Sequence, residues 1–196
     1  MADYMGIYEA GEALIALLKK NMTPEPISKP ELIGLCVPHE PEDYQLTLYL
    51  YHVEDATRMG GAAFTQESQN VQRAAPLPLK LYYLITAHSK APVQSRAADE
   101  HRILGRALQI VRDNAQLSGA MLSGSLKENT AELRVTLRRE THEQLTKIFP
   151  AASSKPYKLS FAIEVEGVEI DSNRTRSFAR VKDAAFSVEE LTEEKA

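Results

Sequence analysis

The sequence predicts an α+β protein, one domain built on a mainly antiparallel sheet with helices packed on one face. Three observations lead there. Segments that alternate apolar and polar residues recur along the chain, these segments neighbour one another in sequence, and the stretches of helical period are gathered between groups of them. With 196 residues, 43% of them hydrophobic, the chain can bury one core without disulfides or metal.

Ile7, Tyr8, Gly11, Leu14, Ile15 and Leu18 fall at helical spacing, which predicts an amphipathic helix over residues 4 to 20 with Asp3 as its cap and Lys19 and Lys20 at its negative end. Three prolines between Asn21 and Pro30 stop it, and a short strand from Leu32 to Val37 follows. Tyr44 to Val53 alternates, with Leu46, Leu48 and Leu50 on one side. Leu77 to Ala87 alternates too, and the two segments are expected to pair as a long hairpin. Between them, residues 55 to 75 show no sustained period and read as a long flexible loop. Ala98, Ile103, Leu104, Ala107, Leu108 and Val111 mark a second helix ending near Asn114, and Gly105 within it suggests close packing on the sheet. Leu133, Val135 and Leu137 predict a half-buried strand, and a short helix is expected over residues 139 to 149. The longest strand places Tyr157, Leu159, Phe161, Ile163 and Val165 inward and Glu164 and Glu166 outward. A turn at residues 171 to 173 then leads into a last strand near Arg176 to Phe186. The domain is read as residues 1–188, with 189–196 an acidic solvated tail.

A formal charge of -4 with scattered cations lacks the basic face that a phosphate backbone requires, so nucleic acid is not an expected partner. Cys36 is the single cysteine and reads as an inert small hydrophobe in a strand. Neither a secretory leader nor an apolar run of spanning length is legible, so folding in the cytoplasm and no membrane partner are expected.

The chemical motifs are near-misses. His142-Glu143 opens like a zinc-protease helix, but Thr146 stands where the second histidine is required. Gly6 and Gly11 have phosphate-loop spacing, yet Glu12 and Ala13 occupy the positions that would hold phosphate and magnesium. Close helix packing explains those glycines better. Ser123-Gly124-Ser125 lacks the glycine two residues before a nucleophile. His39, His52, His88, His101 and His142 share no metal-ligand spacing, and Asp99, Glu100 and His101 read as the acidic first turn of a helix. No catalytic residue, metal ligand or cofactor site is therefore assigned, and the chain is expected not to be an enzyme.

Five stretches, in order, carry a resemblance: YMGIYEAGEALIALLKK, ELIGLCVPHEPEDYQLTLYLYHV, PLPLKLYYLITAHS, ADEHRILGRALQIVRDN and KPYKLSFAIEVEGVEIDS. Together they resemble the tail-terminator or cap proteins of extracellular contractile injection systems, phage-tail-like particles of the antifeeding-prophage and virulence-cassette type. The resemblance implies a tail-terminator fold and a ring, expected to be a hexamer, on the distal end of an inner tube and sheath. Its partners would be further copies of itself, the tube protein and the sheath protein. It would assemble in the cytoplasm and leave as part of the particle. A phage tail-completion or head-tail adaptor is the nearest alternative, and a small ligand-binding or enzymatic domain a more distant one. From polarity and position, the surfaces expected to carry contacts are the loop, with Arg58, Gln69, Asn70 and Arg73, and the last strand, with Arg174, Arg176, Arg180 and Lys182 near Glu164 and Glu166.

Overall fold

The computed structural model describes residues 4–57, 63–129, 132–148 and 157–178. In chain order its elements are α1 (Gly6–Met22), β1 (Ile33–Leu35), β2 (Leu46–Asp55), β3 (Phe64–Ser68), β4 (Val71–Ala74), β5 (Leu77–Ala87), α2 (Val93–Asp113), β6 (Gln116–Leu117), α3 (Gly124–Asn129), β7 (Leu133–Leu137), α4 (His142–Ile148), β8 (Ser160–Ile170) and β9 (Thr175–Ser177). Single 3-10 turns precede β1 and α3. The architecture is α+β and mainly antiparallel, as the alternating segments imply. The chain divides into two compact units, residues 1–61 with 76–171 and residues 62–75 with 172–196.

The first unit is a six-stranded sheet in the order β1-β2-β5-β8-β7-β6. Its pairings are antiparallel except β1 with β2. The hairpin expected from residues 44–53 and 77–87 is present, running in register from Leu46 opposite Ala87 to Asp55 opposite Leu79. Leu46 and Leu48, then Leu79, Leu81, Tyr83 and Ile85, then Ile163, Val165 and Val168, and finally Leu133 and Val135 line one face of the sheet and join the buried side chains of α1 and α2 in a single apolar cluster. Deleting a well-packed member of such a cluster costs about 2–5 kcal/mol, which is why the period-two signal was legible.

Two bulges adjust the phase of this sheet. Leu50 pairs with Tyr83 and His52 with Tyr82, so Tyr51 is the extra residue and His52 lands on the outer face. On β8, Leu79 faces Val168 and Lys80 faces Glu166, leaving Gly167 as the extra residue with φ 97°. That insertion returns Val168 to the core, where plain alternation would turn it outward.

Several expectations shift. Asp3 lies outside the described residues; α1 begins at Gly6 and continues to Met22, with Tyr8 mostly exposed and Ala10, Leu14, Leu17 and Leu18 buried. The strand expected over 32–37 is only Ile33–Leu35. Cys36 sits just past it, half-buried, its Sγ donating to the Glu40 carbonyl at 3.0 Å. Burial first and the nearby Glu42 carboxylate second raise the thiol's pKa. The second helix starts at Val93, directly after Pro92, a turn before its apolar period begins, because Pro pre-sets the entry and the first turns are solvent-facing. Asp99 and Glu100 consequently sit inside the helix. Gly105 is exposed with open space around it, so it does not mediate sheet packing. Gly11 does allow close approach, since a Cβ there would lie 3.1 Å from a Leu35 methyl. β8 starts at Ser160, and Leu159, expected inward, is half-exposed.

The N-terminus of α3 is capped from a distance in sequence. The Glu9 carboxylate of α1 accepts from the Ser125 amide (3.0 Å), the Ser125 hydroxyl (2.7 Å) and the Leu126 amide (3.0 Å). Burial opposes ionisation of Glu9, but these three donors outweigh it and hold the carboxyl below its usual pKa. Glu9→Ala leaves two amides without that acceptor and is expected to cost about 1 kcal/mol, read as a lowered urea midpoint with unchanged slope. An unchanged midpoint would show that the cap contributes nothing.

The second unit is a three-stranded antiparallel sheet in the order β3-β4-β9. Residues 55–75 are therefore not a structureless loop: β3 and β4 form a hairpin within them, turning at Gln69 and Asn70. Most of their side chains are exposed or half-buried, so no apolar period marks these strands. Of the last strand expected over 176–186, Thr175–Ser177 is seen, and residues from 179 onward lie outside the described set.

Candidate assembly surfaces

The residues expected to carry contacts fall on two surfaces. Arg58, Arg180 and Lys182 lie outside the described residues. Gln69, Asn70, Arg73, Arg174 and Arg176 all belong to the small sheet. Gln69 and Asn70 make the exposed turn of the hairpin, and the Asn70 carbonyl accepts from the Phe178 amide at 3.1 Å, tying the turn to the end of β9. Arg73 is held on its own unit, donating from Nε to Glu67 at 3.1 Å and from a terminal nitrogen to the Ser172 carbonyl at 3.0 Å. Arg176 stacks over the Phe64 ring with its guanidinium carbon 3.9 Å from the centroid, and Arg174 lies 5.8 Å from the same centroid. The Arg176 Nε also donates to Gln72 at 2.9 Å.

Glu164 and Glu166 belong to the large sheet, on its outer face and on an interior strand. Glu164 is only 8% exposed. It accepts from Lys80 (3.0 Å) and from Arg138 (3.1 Å), while Lys80 also pairs with Glu166 and Arg138 with Glu140. Arg138 stands 5.1 Å over the Tyr82 ring, and the Tyr82 hydroxyl donates to Glu54. Burial first, then the Glu54 hydrogen bond, pushes the Tyr82 phenol up to about 12. The hydrogen bonds to Glu166 and Glu164 raise the Lys80 ammonium, and the bond from Lys80 lowers Glu166. Lys80, Arg138, Glu140, Glu164 and Glu166 each face an opposite charge, whereas Glu54 is held by the neutral Tyr82 hydroxyl.

Register explains why these groups meet. Glu54 of β2 faces Lys80 of β5, which faces Glu166 of β8, which faces Arg134 of β7. Signs alternate across four strands. The next rung is His52, Tyr82, Glu164 and Thr136. Lys80, Tyr82, Arg138 and Glu54 are not evident as a group in the sequence, because only strand pairing brings positions so far apart together. The outward alternation of β5 and β8 was the available signal, since polar residues at those positions must share one face.

A third cluster sits at the opposite end of this face. Thr47, Thr86 and Ser160 form a buried hydroxyl rung on β2, β5 and β8. The Thr86 and Ser160 hydroxyls are 2.8 Å apart. His88, 5% exposed, pairs through Nε2 with the Thr47 hydroxyl at 3.0 Å. Nearby, Lys158 donates to Glu100 at 2.8 Å and the Ser89 hydroxyl to Asp99 at 2.6 Å. Asp99 and Glu100 are thus structural acceptors. His52 stacks on Tyr82 and His142 meets Tyr157 edge-on, so these histidines are distributed over separate surroundings. Among the described residues no group of histidine, cysteine and carboxylate side chains has metal-binding geometry, and no helix is long and apolar enough to cross a membrane.

The fold has solved counterparts. The sheath/tube terminator of an extracellular contractile injection system, seen in its extended state, superposes with a TM-score of 0.67 over 96% of this chain at 16% identity. The tube-terminating cap of the anti-feeding prophage superposes with a TM-score of 0.60 over 91% at 17% identity. The chain spans 65% of the length of the first and 60% of the second. No curated protein matches the sequence. The Pvc16 N-terminal domain family matches residues 9–183, from α1 through the small sheet and beyond, and this chain belongs to that family.

Proposed function

We propose that this chain is the tail terminator of a contractile, phage-tail-like injection particle. Copies form a ring, a hexamer in this reading, on the distal end of the inner tube and sheath. The ring ends polymerisation and anchors the last sheath ring. It assembles in the cytoplasm and leaves with the particle, and its work is done by surfaces rather than by a catalytic centre. The observation that carries this reading is the match along 96% of the chain to a protein described as a sheath/tube terminator, joined to family membership over residues 9–183. The outer sheet face supports it: Lys80, Glu164 and Glu166 are fixed by strand register and joined with Arg138 and Glu140 in a connected set of ion pairs, which provides an ordered polar surface for docking.

Particles assembled without this protein should show tubes of uncontrolled length or sheaths that fail to stay extended, with distal ring density only when it is present. Unchanged particles with no distal ring would refute the assignment. Deleting residues 56–74 removes β3 and β4 and leaves the strands of the large sheet in place. This variant is expected to keep the circular dichroism of a folded α+β protein but to cap poorly in electron micrographs. Normal tube lengths in particles carrying it would exclude the small sheet from capping.

A further inference from the structure

The small sheet carries an arrangement that its own fold does not require. Arg174 and Arg176 converge on one face of the sheet, with guanidinium carbons 5.8 Å and 3.9 Å from a single Phe64 centroid. Both side chains are exposed, and Phe64 is half-buried. Arg73, within β4 of the same sheet, is neutralised by Glu67. Among the described residues, no carboxylate forms an ion pair with Arg174 or Arg176; the neutral Gln72 amide oxygen accepts from Arg176. Two cations set side by side repel, and the ring's negative face offsets only part of that. Planar guanidinium forks held by a ring and an amide are pre-organised to receive carboxylate oxygens in pairs. Among the described residues, β9 pairs with β4.

We propose that the Arg174, Arg176 and Phe64 face binds the acidic segment 189–194 of this chain. That segment, Glu-Glu-Leu-Thr-Glu-Glu, places four carboxylates in six residues and supplies the sign the arginines lack. Eleven residues lie between Ser177 and Glu189, and a chain of that length reaches up to about 40 Å when extended. The segment can therefore return to the sheet it leaves. This inference does not rest on the terminator reading, and particle assembly plays no part in its test.

The test uses the full chain with Glu189, Glu190, Glu193 and Glu194 all changed to Gln. Nitrogen-15 spectra should show the Nε–Hε signals of Arg174 and Arg176 displaced from their native positions, with the Arg73 signal unmoved. A fluorescent peptide of residues 187–196 should bind the four-Gln chain at least about fivefold more tightly than the native chain, whose own segment competes. Adding Arg174→Ala and Arg176→Ala should weaken that binding about fivefold to tenfold, the scale of two exposed charge pairs, and 0.5 M salt should abolish it on the scale expected from screening, about 4 Å. Unmoved arginine signals, or peptide binding indifferent to both arginines, would overturn the proposal. Should the arginine variant fail to fold by circular dichroism, the signals of the four-Gln chain decide alone.

Discussion

Gly167→Ala is expected to lower unfolding free energy by about 3 kcal/mol or more, while Gly105→Ala should raise it by about 0.5–1 kcal/mol. The same methyl group has opposite signs because the two backbones differ. Gly167 is the extra residue of the β8 bulge, with φ 97°, where an L side chain is strained wherever it points. A Cβ there would also lie 2.6 Å from the Glu132 carbonyl oxygen. That oxygen is backbone at the entrance to β7, which is bonded to β8 from Arg134 opposite Glu166 onward, so it cannot retreat without breaking the ladder. Relieving the clash by removing the bulge would turn Val168 away from the core. Gly105 lies mid-helix with nothing within 4 Å, so alanine there mainly restricts the unfolded chain. Urea unfolding of both variants provides the measurement. Equal midpoints for Gly167→Ala and the native chain would mean that the bulge does not constrain β8.

The second large effect is expected with pH. His88 is buried against the Thr47 hydroxyl, and burial first, then the Lys158 ammonium, lowers its pKa to about 4 against the opposing Glu100 carboxylate. The folded chain therefore holds His88 neutral through a range in which the unfolded chain takes up a proton near pH 6.5. Stability is complete above pH 6.5 and falls as the pH drops toward 4, by a total of about 3 kcal/mol from this group. Below pH 4 both states are protonated and the contribution is flat. His88→Leu removes the group, and its unfolding free energy should lose this part of the slope between pH 7 and 4.5. Parallel profiles for the native and variant proteins would assign the acid sensitivity to other groups.

Where one face of a strand is buried, the sequence announces it. The pairing of residues 46–55 with 77–87 was legible because leucines at every second position admit one core-facing register. β3 and β4 were not legible. Thr65, Gln66, Glu67, Gln72 and Arg73 are polar on both faces, and a strand with no buried side carries no period. The Gln69-Asn70 turn was the remaining signal there, and a weak one. β6 is two residues long and α3 six, too short for any periodicity. The bulges were equally hidden, because an inserted residue looks like an ordinary member of the alternation until the partner strand is known. For the surfaces, outward placement of Glu164 and Glu166 was read from alternation, whereas the burial of Glu164 and its hold on Lys80 and Arg138 depend on cross-strand neighbours. The association of Arg174 and Arg176 with Phe64 depends in turn on β4 lying between β3 and β9.

The large sheet ends on one side in β1, three residues long, and on the other in β6, only two. An incoming strand gains affinity from each backbone bond it makes along an edge, and such short edges offer very few. A protein proposed to halt a growing polymer has to accept neighbours without becoming a template itself. β1 and β6 satisfy that requirement only over their own short lengths, since β1 pairs with Leu46–Leu48 of β2 and leaves the strand from Tyr49 to Asp55 without a β1 partner.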